Sequence, residues 1–429
     1  MKNFVANLRW RGMIHDIVPG IEEHLSNSMV TGYIGFEPSA SSLHLGNLVT
    51  LMLLKHFQEA GHKPIVVVGG ATAMVGDPSW KAQERLFLPE EIIRHNEDCI
   101  SQQLKKFLDF DTGKNKAVVL NNFDWLRDIS FLSFLRDVGK HIPIGYMMAK
   151  DSVKRRIETG ISYTEFAYQL LQGFDFYYLY LNKGVTLQMG GADQWGNLTT
   201  GIELIRKKAH AQAFAITAPL FTRSDGIKFG KTTAGANVWL DASKTSPYEL
   251  YQFLLNCTDY EVEKLIKVFA CCSKEEIEAL IVAHQAKPET RLLQQTVAKM
   301  VTTMVHSEEA CSKAIVSSHI LFSNVYSMHE LYALSEDDLL TVCATIPKIH
   351  ITQATLNTVD SIISLLSVTT EGVIMTSKSE AKRMIASHGI MINKVLITDP
   401  YQKPDFILLH SRYLLVQKGK KNYYLMVVQ

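Results

Sequence analysis

One strand–turn–helix unit constrains this chain more than any other stretch. Residues 31–36 form a strand-like run, a turn rich in Pro and Ser follows, and apolar residues from Leu48 to Phe57 recur at helical spacing. Gly61, a common residue just past a helix C-terminus, ends the pattern. The helix begins at His44 to Asn47 (HLGN), where free backbone N–H groups attract phosphate. The unit predicts a nucleotide site, although a His and an Asn near a helix start, taken alone, are helix caps or surface polar groups far more often than catalytic residues.

Further strand-like runs end in glycine-rich or polar turns. Residues 65–68 are followed by Gly69-Gly70, residues 118–120 form a third run, and residues 185–188 are followed by Gly190-Gly191. Strand, helix and strand at this spacing predict right-handed crossovers of a doubly wound parallel sheet. Ligands bind at the carboxyl edge of such sheets, so we expect these turns to meet at one site.

Two other segments carry side chains suited to substrate binding. Tyr168 and Gln172 lie at i and i+4 on one face of a predicted helix, and Asp175 follows one turn later. Lys228 and Lys231 lie three apart in a glycine-flanked segment, as in a mobile loop that closes over a polyphosphate. The sequence alone leaves open a core role for Tyr168 and a solvated surface loop for the lysines.

The distribution of strand-like, helical and glycine-rich stretches changes along the chain and predicts four parts. Residues 1–235 read as an α/β domain, 236–335 as a helical domain, 336–352 as a linker, and 353–429 as a small α+β domain. In the last part we expect a helix over 357–366, a second helix opening at Ser377, a strand over 390–393 and a hairpin around Gly419.

Charge is concentrated at the C-terminal end. From residue 377 onward, nine Lys and Arg face three acidic side chains, which leaves +6 there and −5 on the rest of a chain whose net charge is +1. Lys378, Lys382 and Arg383 fall on one side of the predicted helix and suit a phosphate backbone. A basic end on an acidic body indicates binding to nucleic acid.

Several classes of protein are disfavoured. The six cysteines form no C-x-x-C pair, so neither a zinc site nor a disulfide framework is indicated. No apolar run reaches the length of a membrane span, and the first residues interleave charge too closely for a secretory signal. We expect a cytoplasmic protein.

Together these motifs resemble the bacterial-type tyrosyl-tRNA synthetase family. HLGN is similar to the HIGH motif of class I aminoacyl-tRNA synthetases, and Lys228 to Thr232 (KFGKT) to their KMSKS loop. Further matching segments are 33–36 (YIGF), 69–72 (GGAT), 76–78 (GDP), Tyr168-x-x-x-Gln172-x-x-Asp175 and 190–197 (GGADQWGN). The C-terminal part resembles the family's S4-type RNA-binding module. The match covers essentially the whole chain, in the family's order.

The resemblance implies a reaction and a Rossmann-like catalytic domain. L-tyrosine would attack the α-phosphate of ATP to give tyrosyl-adenylate and pyrophosphate, and the tyrosyl group would pass to the 3′-terminal adenosine of tRNA(Tyr). Mg²⁺ would travel with ATP, held mainly by phosphates and water. The family also implies a homodimer with tRNA bound across the subunits.

The resemblance also assigns residues to roles. Transition-state contacts with the phosphates would come from Ser39, His44, Asn47, Lys81, Arg85, Lys228, Lys231 and Thr232. The tyrosine pocket would comprise Tyr33, Asp77, Tyr168, Gln172, Asp175 and Gln194, with Tyr33 and Asp175 on the phenol hydroxyl. ATP would also meet Gly35, Glu37, Gly46, Gly191 and Asp193. Transfer RNA would meet Lys150, Lys154, Arg155, Lys378, Lys382, Arg383, Lys420 and Lys421.

Four positions depart from the family pattern. Asn47 stands where a second His is common, Glu37 where Asp is usual, Ser39 where Thr is usual, and Ile34 where Cys is frequent. None of these departures removes a required charge. They bear on the fine positioning of ribose and phosphate.

Three alternatives remain on the sequence alone. A tryptophanyl-type synthetase should lack the Tyr33 and Asp175 pair and the S4-like tail. A different nucleotidyl transferase would not need a basic RNA-binding module, and an RNA-binding descendant of an enzyme would have lost the active-site charges. ATP–pyrophosphate exchange measured with each amino acid separates all of them.

Overall fold

The computed structural model describes residues 3–77, 79, 88–157, 160–232, 235–322, 331–343, 346–419 and 422–429, except the side chains of 152, 155 and 320–322. The chain divides into two compact units. The first comprises Met1–Ser246 with Phe253–His306, and the second comprises Pro247–Gln252 with Ser307–Gln429. Each unit has its own sheet.

The first unit is built on a six-stranded sheet in the order β1-β6-β5-β2-β3-β4. Its strands are β1 (Asp16–Ile17), β2 (Thr31–Phe36), β3 (Lys63–Val68), β4 (Val118–Asn121), β5 (Val185–Gly191) and β6 (Phe214–Ala218). Strands β6 to β4 are parallel, and β1 runs antiparallel to β6. The chain moves outward from β2 through β3 to β4 and returns to β5 on the other side of β2. The predicted doubly wound sheet is confirmed, and β2 and β5 form its switch point, where ligands bind in such folds.

Helices cover the sheet and continue beyond it. They are α1 (Phe4–Arg11), α2 (Ile21–Asn27), α3 (Leu45–Glu59), α4 (Glu90–Leu104), α5 (Phe123–Leu126), α6 (Phe131–Asp137), α7 (Ile144–Met148), α8 (Asp151–Ile157), α9 (Tyr163–Lys183), α10 (Trp195–Ala209), α12 (Asp259–Phe269), α13 (Lys274–Ala286) and α14 (Leu292–Val305). Helix α11 (Pro247–Leu255) is divided, with Pro247–Gln252 assigned to the second unit. The helical spacing predicted for α3 is confirmed, since Leu48, Leu51 and Phe57 are fully buried. The helix ends at Ala60, followed by Gly61 in a left-handed conformation.

Helices α9 and α10 pack unusually close, and this fixes the position of Asp175. A Cβ added to Gly201 on α10 would lie 2.8 Å from Cβ of Phe176 on α9. The Phe176 side chain therefore occupies the space that a side chain at position 201 would take. Phe176 also packs edge-on against Tyr33 of β2, with ring centroids 5.6 Å apart. Asp175, the residue before Phe176, is buried at 4% exposure.

The second unit contains a five-stranded sheet in the order β7-β11-β10-β8-β9. The strands are β7 (Lys348–Ile351), β8 (Ile390–Ile392), β9 (Val395–Leu396), β10 (Tyr413–Lys418) and β11 (Asn422–Val428). The helices are α15 (Glu308–Phe322), α16 (Glu336–Val342), α17 (Gln353–Thr358), α18 (Ile362–Leu366) and α19 (Lys378–Ala386). The predicted hairpin of β10 and β11 and the helix opening at Ser377 are confirmed.

Several sequence predictions need correction. The predicted linker 336–352 contains α16 and β7, and β7 completes the second sheet by parallel pairing with β11. The predicted helix 357–366 is two helices, because the backbone is extended at Val359 and Ser361. Strand β6 went unrecognised, although all of its residues are buried. The predicted helical domain 236–335 is shared between the two units, and the division into catalytic, helical and RNA-binding domains stays a prediction.

Among the described helices, none combines the length and apolarity needed to cross a membrane.

Candidate active site

The HLGN turn forms the N-terminus of α3 and is closed by a reciprocal cap. The backbone N–H of Asn47 donates to Nδ1 of His44 at 3.2 Å, and the N–H of His44 donates to Oδ1 of Asn47 at 3.0 Å. Asn47 therefore uses its amide oxygen to hold His44. This arrangement satisfies two backbone groups of the helix start and orients the imidazole.

His44 is a neutral hydrogen-bond donor. Burial, followed by the charge of Lys231, lowers the pKa of His44 to about 4, and Lys228 acts in the same direction. Because Nδ1 accepts the Asn47 N–H, the ring proton of the neutral imidazole lies on Nε2. The cap thus leaves Nε2–H to donate to a ligand at the helix N-terminus.

The lysine loop lies directly against this turn. A Cβ added to Gly230 would lie 2.6 Å from the backbone N of Gly46, and Gly230 has a φ of +89°. Only glycine permits both the conformation and the contact. The chain returning from the loop pairs with the HLGN turn, where the N–H of Leu45 donates to the carbonyl of Val238 at 2.8 Å. Two segments nearly two hundred residues apart thereby form one surface.

Phe229 anchors the loop and leaves the lysines exposed. Its ring is buried against Phe253 and Phe269, with centroids 5.8 and 6.5 Å away. Lys228 and Lys231, on either side of this anchor, are exposed. Both positive charges lower the pKa of His44. The arrangement concentrates hydrogen-bond donors and positive charge at the start of α3, as anion binding requires.

Tyr33 and Asp175 are both buried, at 2% and 4% exposure. Asp175 accepts hydrogen bonds from Nδ2 of Asn122 at 3.0 Å and from Nε1 of Trp125 at 2.7 Å. Burial raises the pKa of Asp175 to about 7 against the opposing effect of these two bonds. The Tyr33 hydroxyl is buried and has no hydrogen-bond partner in the part of the chain that the structure describes. Burial and, after it, the Asp175 charge raise the pKa of Tyr33 well above its usual range.

A second polar network includes residues of the turns that follow β3 and β5. Nε2 of Gln194 donates to Oδ2 of Asp77 at 2.7 Å, and Nδ2 of Asn197 donates to Oε1 of Gln172 at 2.9 Å and to Oε1 of Gln194 at 3.2 Å. The Tyr168 hydroxyl donates to Oε1 of Glu37 at 2.6 Å. Of the six residues predicted for the tyrosine pocket, Asp77, Gln172 and Gln194 thus share one hydrogen-bond network. Tyr168 and Asp175 bond to other side chains, and the Tyr33 hydroxyl has no described partner.

The Glu37 departure has a structural consequence. Burial raises the pKa of Tyr168 well above its usual range, and the charges of Glu37 and Asp77 add to the effect. Tyr168 is thus a polar contact between β2 and α9 as well as a buried ring. The burial of Tyr168, at 5% exposure, agrees with the alternative of a core aromatic, and its role in substrate binding stays a prediction.

Glycines leave room at the strand ends. Gly35, the penultimate residue of β2, is exposed, and a Cβ there would meet only the carbonyl of Val67, at 3.9 Å. In contrast, a Cβ on Gly191 would lie 2.6 Å from Oδ1 of Asp193. The absence of a side chain at Gly191 therefore leaves room for the Asp193 carboxylate beside the backbone. Ser39, in the turn after β2, is exposed. The face above β2 is open where the nucleotide is predicted.

Some predicted site residues lie outside the described residues. These are Lys81, Arg85, Lys420 and Lys421, together with the side chain of Arg155. Thr232, at the end of the lysine loop, is described, and its Oγ1 accepts the backbone N–H of Ala236 at 3.2 Å.

The predicted tRNA-binding residues differ in their surroundings. Lys378, Lys382 and Arg383 are exposed on α19, opposite the buried Ala381 and Ile385. Lys154 is exposed, but Nζ of Lys150 donates to Oγ1 of Thr199 at 2.8 Å and lies 3.8 Å from the Tyr146 ring centroid. Burial lowers the pKa of Lys150 to about 8. Lys150 therefore packs against α10, whereas the α19 lysines face solvent.

Sequence reasoning missed Asn122 and Trp125, the two donors to Asp175. Asn122 also donates to Oγ1 of Thr72 at 3.0 Å and accepts the N–H of Ala71 at 2.9 Å, so it joins the pocket to the turn after β3. The available signal was position, because both residues follow β4 at the carboxyl edge. Among the described residues, no group of three or more His, Cys, Asp or Glu is arranged to hold a metal ion.

Comparisons with known proteins agree with this site. A family model described as tRNA synthetases class I (W and Y) matches residues 25–323, and one described as a tyrosine–tRNA ligase C-terminal domain matches residues 338–426. The chain is 58% identical over 428 residues to the tyrosine–tRNA ligase of Amoebophilus asiaticus, covering 100% of both chains. It is 54% identical to that of Cytophaga hutchinsonii, covering 99% of both.

Solved structures give the same result. A C-terminally truncated mitochondrial tyrosyl-tRNA synthetase from Aspergillus nidulans is similar at 28% identity with a TM-score of 0.68, covering 75% of this chain and 95% of that one. The matched models and relatives span the catalytic and C-terminal parts together. The chain therefore belongs to the tyrosine–tRNA ligase family of class I tRNA synthetases.

Proposed function

We propose that this chain activates L-tyrosine with ATP and transfers the tyrosyl group to the 3′-terminal adenosine of tRNA(Tyr), with the site residues in the roles below. The observation that carries the assignment of roles is the buried, unpartnered Tyr33 hydroxyl close enough to Asp175 for that carboxylate to raise its pKa. A buried polar group without a partner is costly, and a substrate hydroxyl between the two would satisfy it. Membership of the family supports the same reaction.

One hydrogen-bond acceptor and one donor would recognise the phenol hydroxyl of tyrosine. Its hydroxyl would donate to the Asp175 carboxylate, which Asn122 and Trp125 hold, and accept from Tyr33. Phenylalanine would leave both groups unpaired in a buried pocket, so it is rejected by the cost of unmade hydrogen bonds.

The amino-acid head group would lie at the polar network on the carboxyl edge. Asp77, Tyr168 and Gln172 supply oxygen atoms for the ammonium group, and Gln194, which already donates to Asp77, would help to place the carboxylate. Held there, the carboxylate can attack the α-phosphate in line. Positioning of this kind lowers the barrier without covalent participation by the protein.

The triphosphate would lie at the N-terminus of α3. Nε2–H of His44 and the exposed charges of Lys228 and Lys231 would act on the β- and γ-phosphates, with Ser39, Asn47, Thr232, Lys81 and Arg85 around them. Fixed donors of this type act most strongly on the charge that develops in the transition state. The ribose would meet Gly35, Gly46, Glu37, Gly191 and Asp193.

We propose that Mg²⁺ enters with ATP, bound mainly by phosphate oxygens and water. The ammonium groups of Lys228 and Lys231 at the proposed phosphate site have no lone pair, so they complement anions and cannot coordinate a cation. Mg²⁺ would offset part of the charge on the phosphates. We further propose that the protein works in the cytoplasm and holds no zinc.

Transfer RNA would bind through the second unit. The exposed Lys378, Lys382 and Arg383 on α19 form a continuous basic side, and Lys420 and Lys421 follow in the +6 segment. Lys154 and Arg155 would contribute from the first unit. Lys150 would act there only after leaving Thr199, so its contribution should be smaller.

We also propose a homodimer with tRNA bound across the subunits. Large apolar side chains are exposed on α6, α7 and the start of α9, including Phe131 at 62%, Leu132 at 76%, Ile144 at 67% and Tyr163 at 63%. A second copy covering this surface would remove the unfavourable exposure. Sedimentation equilibrium should give a dimer, and Leu132→Glu should give monomers.

The central test is ATP–pyrophosphate exchange with each of the common amino acids in turn, on the wild type and Tyr33→Phe. Wild type should exchange with tyrosine and not with phenylalanine or tryptophan. Tyr33→Phe should keep most of the activity and lose selectivity against phenylalanine, because it removes one of two contacts to the phenol. Exchange driven by tryptophan, or unchanged selectivity in the variant, would contradict the proposal.

A further inference from the structure

One glutamine outside all of the family motifs bonds to the turn that carries His44. Gln103 lies in the last turn of α4. Its Oε1 accepts the N–H of Leu43 at 2.9 Å, and its Nε2 donates to Oγ of Ser42 at 3.0 Å. Ser42 and Leu43 are buried, at 4% and 2% exposure, so these bonds are shielded from water. They fix the backbone immediately before His44.

Ser42 extends this contact to the chain that returns from the lysine loop. Its Oγ also accepts the N–H of Asp241 at 3.1 Å and donates to the carbonyl of Leu43 at 2.7 Å. The same carbonyl accepts the N–H of Leu240 at 2.8 Å. A serine hydroxyl has one proton, so the two incoming N–H groups direct that proton to Leu43. Gln103 therefore helps to set a junction between the HLGN turn and residues 238–241.

A second side chain of α4 holds the other end of the same turn. Nδ2 of Asn96, which is 3% exposed, donates to the carbonyl of Pro38 at 3.0 Å. Asn96 and Gln103 are seven residues apart, which places them on one face of the helix. Helix α4 thus contacts both ends of the segment from Pro38 to Leu43.

We propose that Gln103 is a positioning residue for amino-acid activation, acting through His44. This inference rests on the proposed role of His44 at the phosphates. By fixing Ser42 and Leu43, Gln103 determines where Nε2–H of His44 points relative to the lysine loop. Tyrosine binds by contrast to β2, β4 and α9, which Gln103 does not contact through any of these bonds. Its loss should therefore affect the chemical step and leave tyrosine binding intact.

The variants are Gln103→Met, which keeps the volume and removes both bonds, and Gln103→Glu, which keeps the acceptor for Leu43. Gln102→Met is the matched control, because Gln102 is the exposed neighbour on the same helix. Gln103→Met should lower the kcat of tyrosine-dependent exchange about 10- to 100-fold, as displacement of a positioned group does. Its tyrosine affinity without ATP should stay within about twofold of wild type, a negligible free-energy change. Gln103→Glu should recover much of the loss, and the control should match wild type.

A double-mutant cycle with His44→Ala separates positioning from general damage. If Gln103 acts through the His44 ring, Gln103→Met should have a much smaller effect on exchange once that ring is absent. Equal effects in both backgrounds would overturn the proposal, as would wild-type exchange by Gln103→Met or a loss confined to tyrosine affinity. Absence of tyrosine-dependent exchange in wild type and in Gln102→Met would instead refute the proposed function.

Discussion

Replacing Trp125 by Phe should shift the pH dependence of tyrosine binding. Burial raises the pKa of Asp175 to about 7, and hydrogen bonds from Asn122 and Trp125 oppose that shift. Trp125→Phe removes the 2.7 Å bond from Nε1 while leaving an aromatic ring to stack on Tyr178, whose centroid lies 4.8 Å away. The pKa of Asp175 should therefore rise further in the variant. In the proposed pocket the ionised carboxylate is the acceptor for the tyrosine hydroxyl, so binding should require a higher pH.

The size of the shift follows from the strength of the lost bond. A hydrogen bond to a charged group contributes about 1.5–3 kcal/mol, which corresponds to roughly 1–2 pKa units. Near pH 7.5 about three-quarters of the wild-type protein would be ionised, but only about 3–25% of the variant. Because apparent affinity scales with the competent fraction, the tyrosine Kd should rise about 3- to 25-fold at that pH.

Equilibrium dialysis with labelled tyrosine, without ATP and from about pH 6 to 8.5, measures this directly. Wild-type affinity should fall with decreasing pH below about 7, and the curve of the variant should be displaced to higher pH. Tyr178→Phe is the control, because it keeps the stacked ring and both bonds to Asp175. If the affinity–pH curves of wild type and Trp125→Phe had the same midpoint, or if wild-type tyrosine affinity did not depend on pH, the reasoning would be refuted.

Three further predictions concern other parts of the molecule. Gly230→Ala should reduce tyrosine-dependent exchange at least about tenfold and leave tyrosine affinity unchanged, because the new Cβ would lie 2.6 Å from the backbone N of Gly46. Gly226 has a similar φ but open space around it, so the control Gly226→Ala should be nearly neutral. Equal effects of the two variants would show that the close contact is unimportant. Asp175→Asn should raise the melting temperature of the ligand-free protein relative to wild type, by a difference that grows between about pH 4 and pH 7 and is largest near pH 8. The folded pKa of about 7 exceeds the unfolded value of 3.8, so the carboxylate costs stability increasingly as pH rises from the unfolded to the folded pKa, and a constant difference by calorimetry would contradict this reasoning. The double variant Lys382→Glu with Arg383→Glu should raise the KM for tRNA and flatten the salt dependence of that KM, while ATP–pyrophosphate exchange stays unchanged. Lys313→Glu, at an exposed position on α15, serves as the control. Unaltered tRNA charging by the double variant would show that α19 does not bind tRNA.

Local sequence determined the elements and most of the side chains at the site. Strand β2 and the start and face of α3 follow from alternation, helical period and a terminal glycine, all of which act over a few residues. The order of strands and glycine-rich turns was enough to predict the doubly wound sheet, because parallel crossovers are right-handed and meet at one edge. Among the residues predicted for the tyrosine pocket, Asp77, Gln172 and Gln194 share one hydrogen-bond network, while the binding role of the set stays a prediction.

Tertiary structure alone decided how those side chains are held. The roles of Asn122 and Trp125 depend on packing between β4 and α9, and Gln103 reaches Ser42 across 61 positions of the chain. Asn47 could be read as a donor from its type, yet the cap makes its amide oxygen an acceptor. The linker prediction failed for the same reason, since β7 is a strand only because β11 lies beside it. Hydrogen bonds between distant segments leave no periodic signal in the sequence, so only the folded chain reveals them.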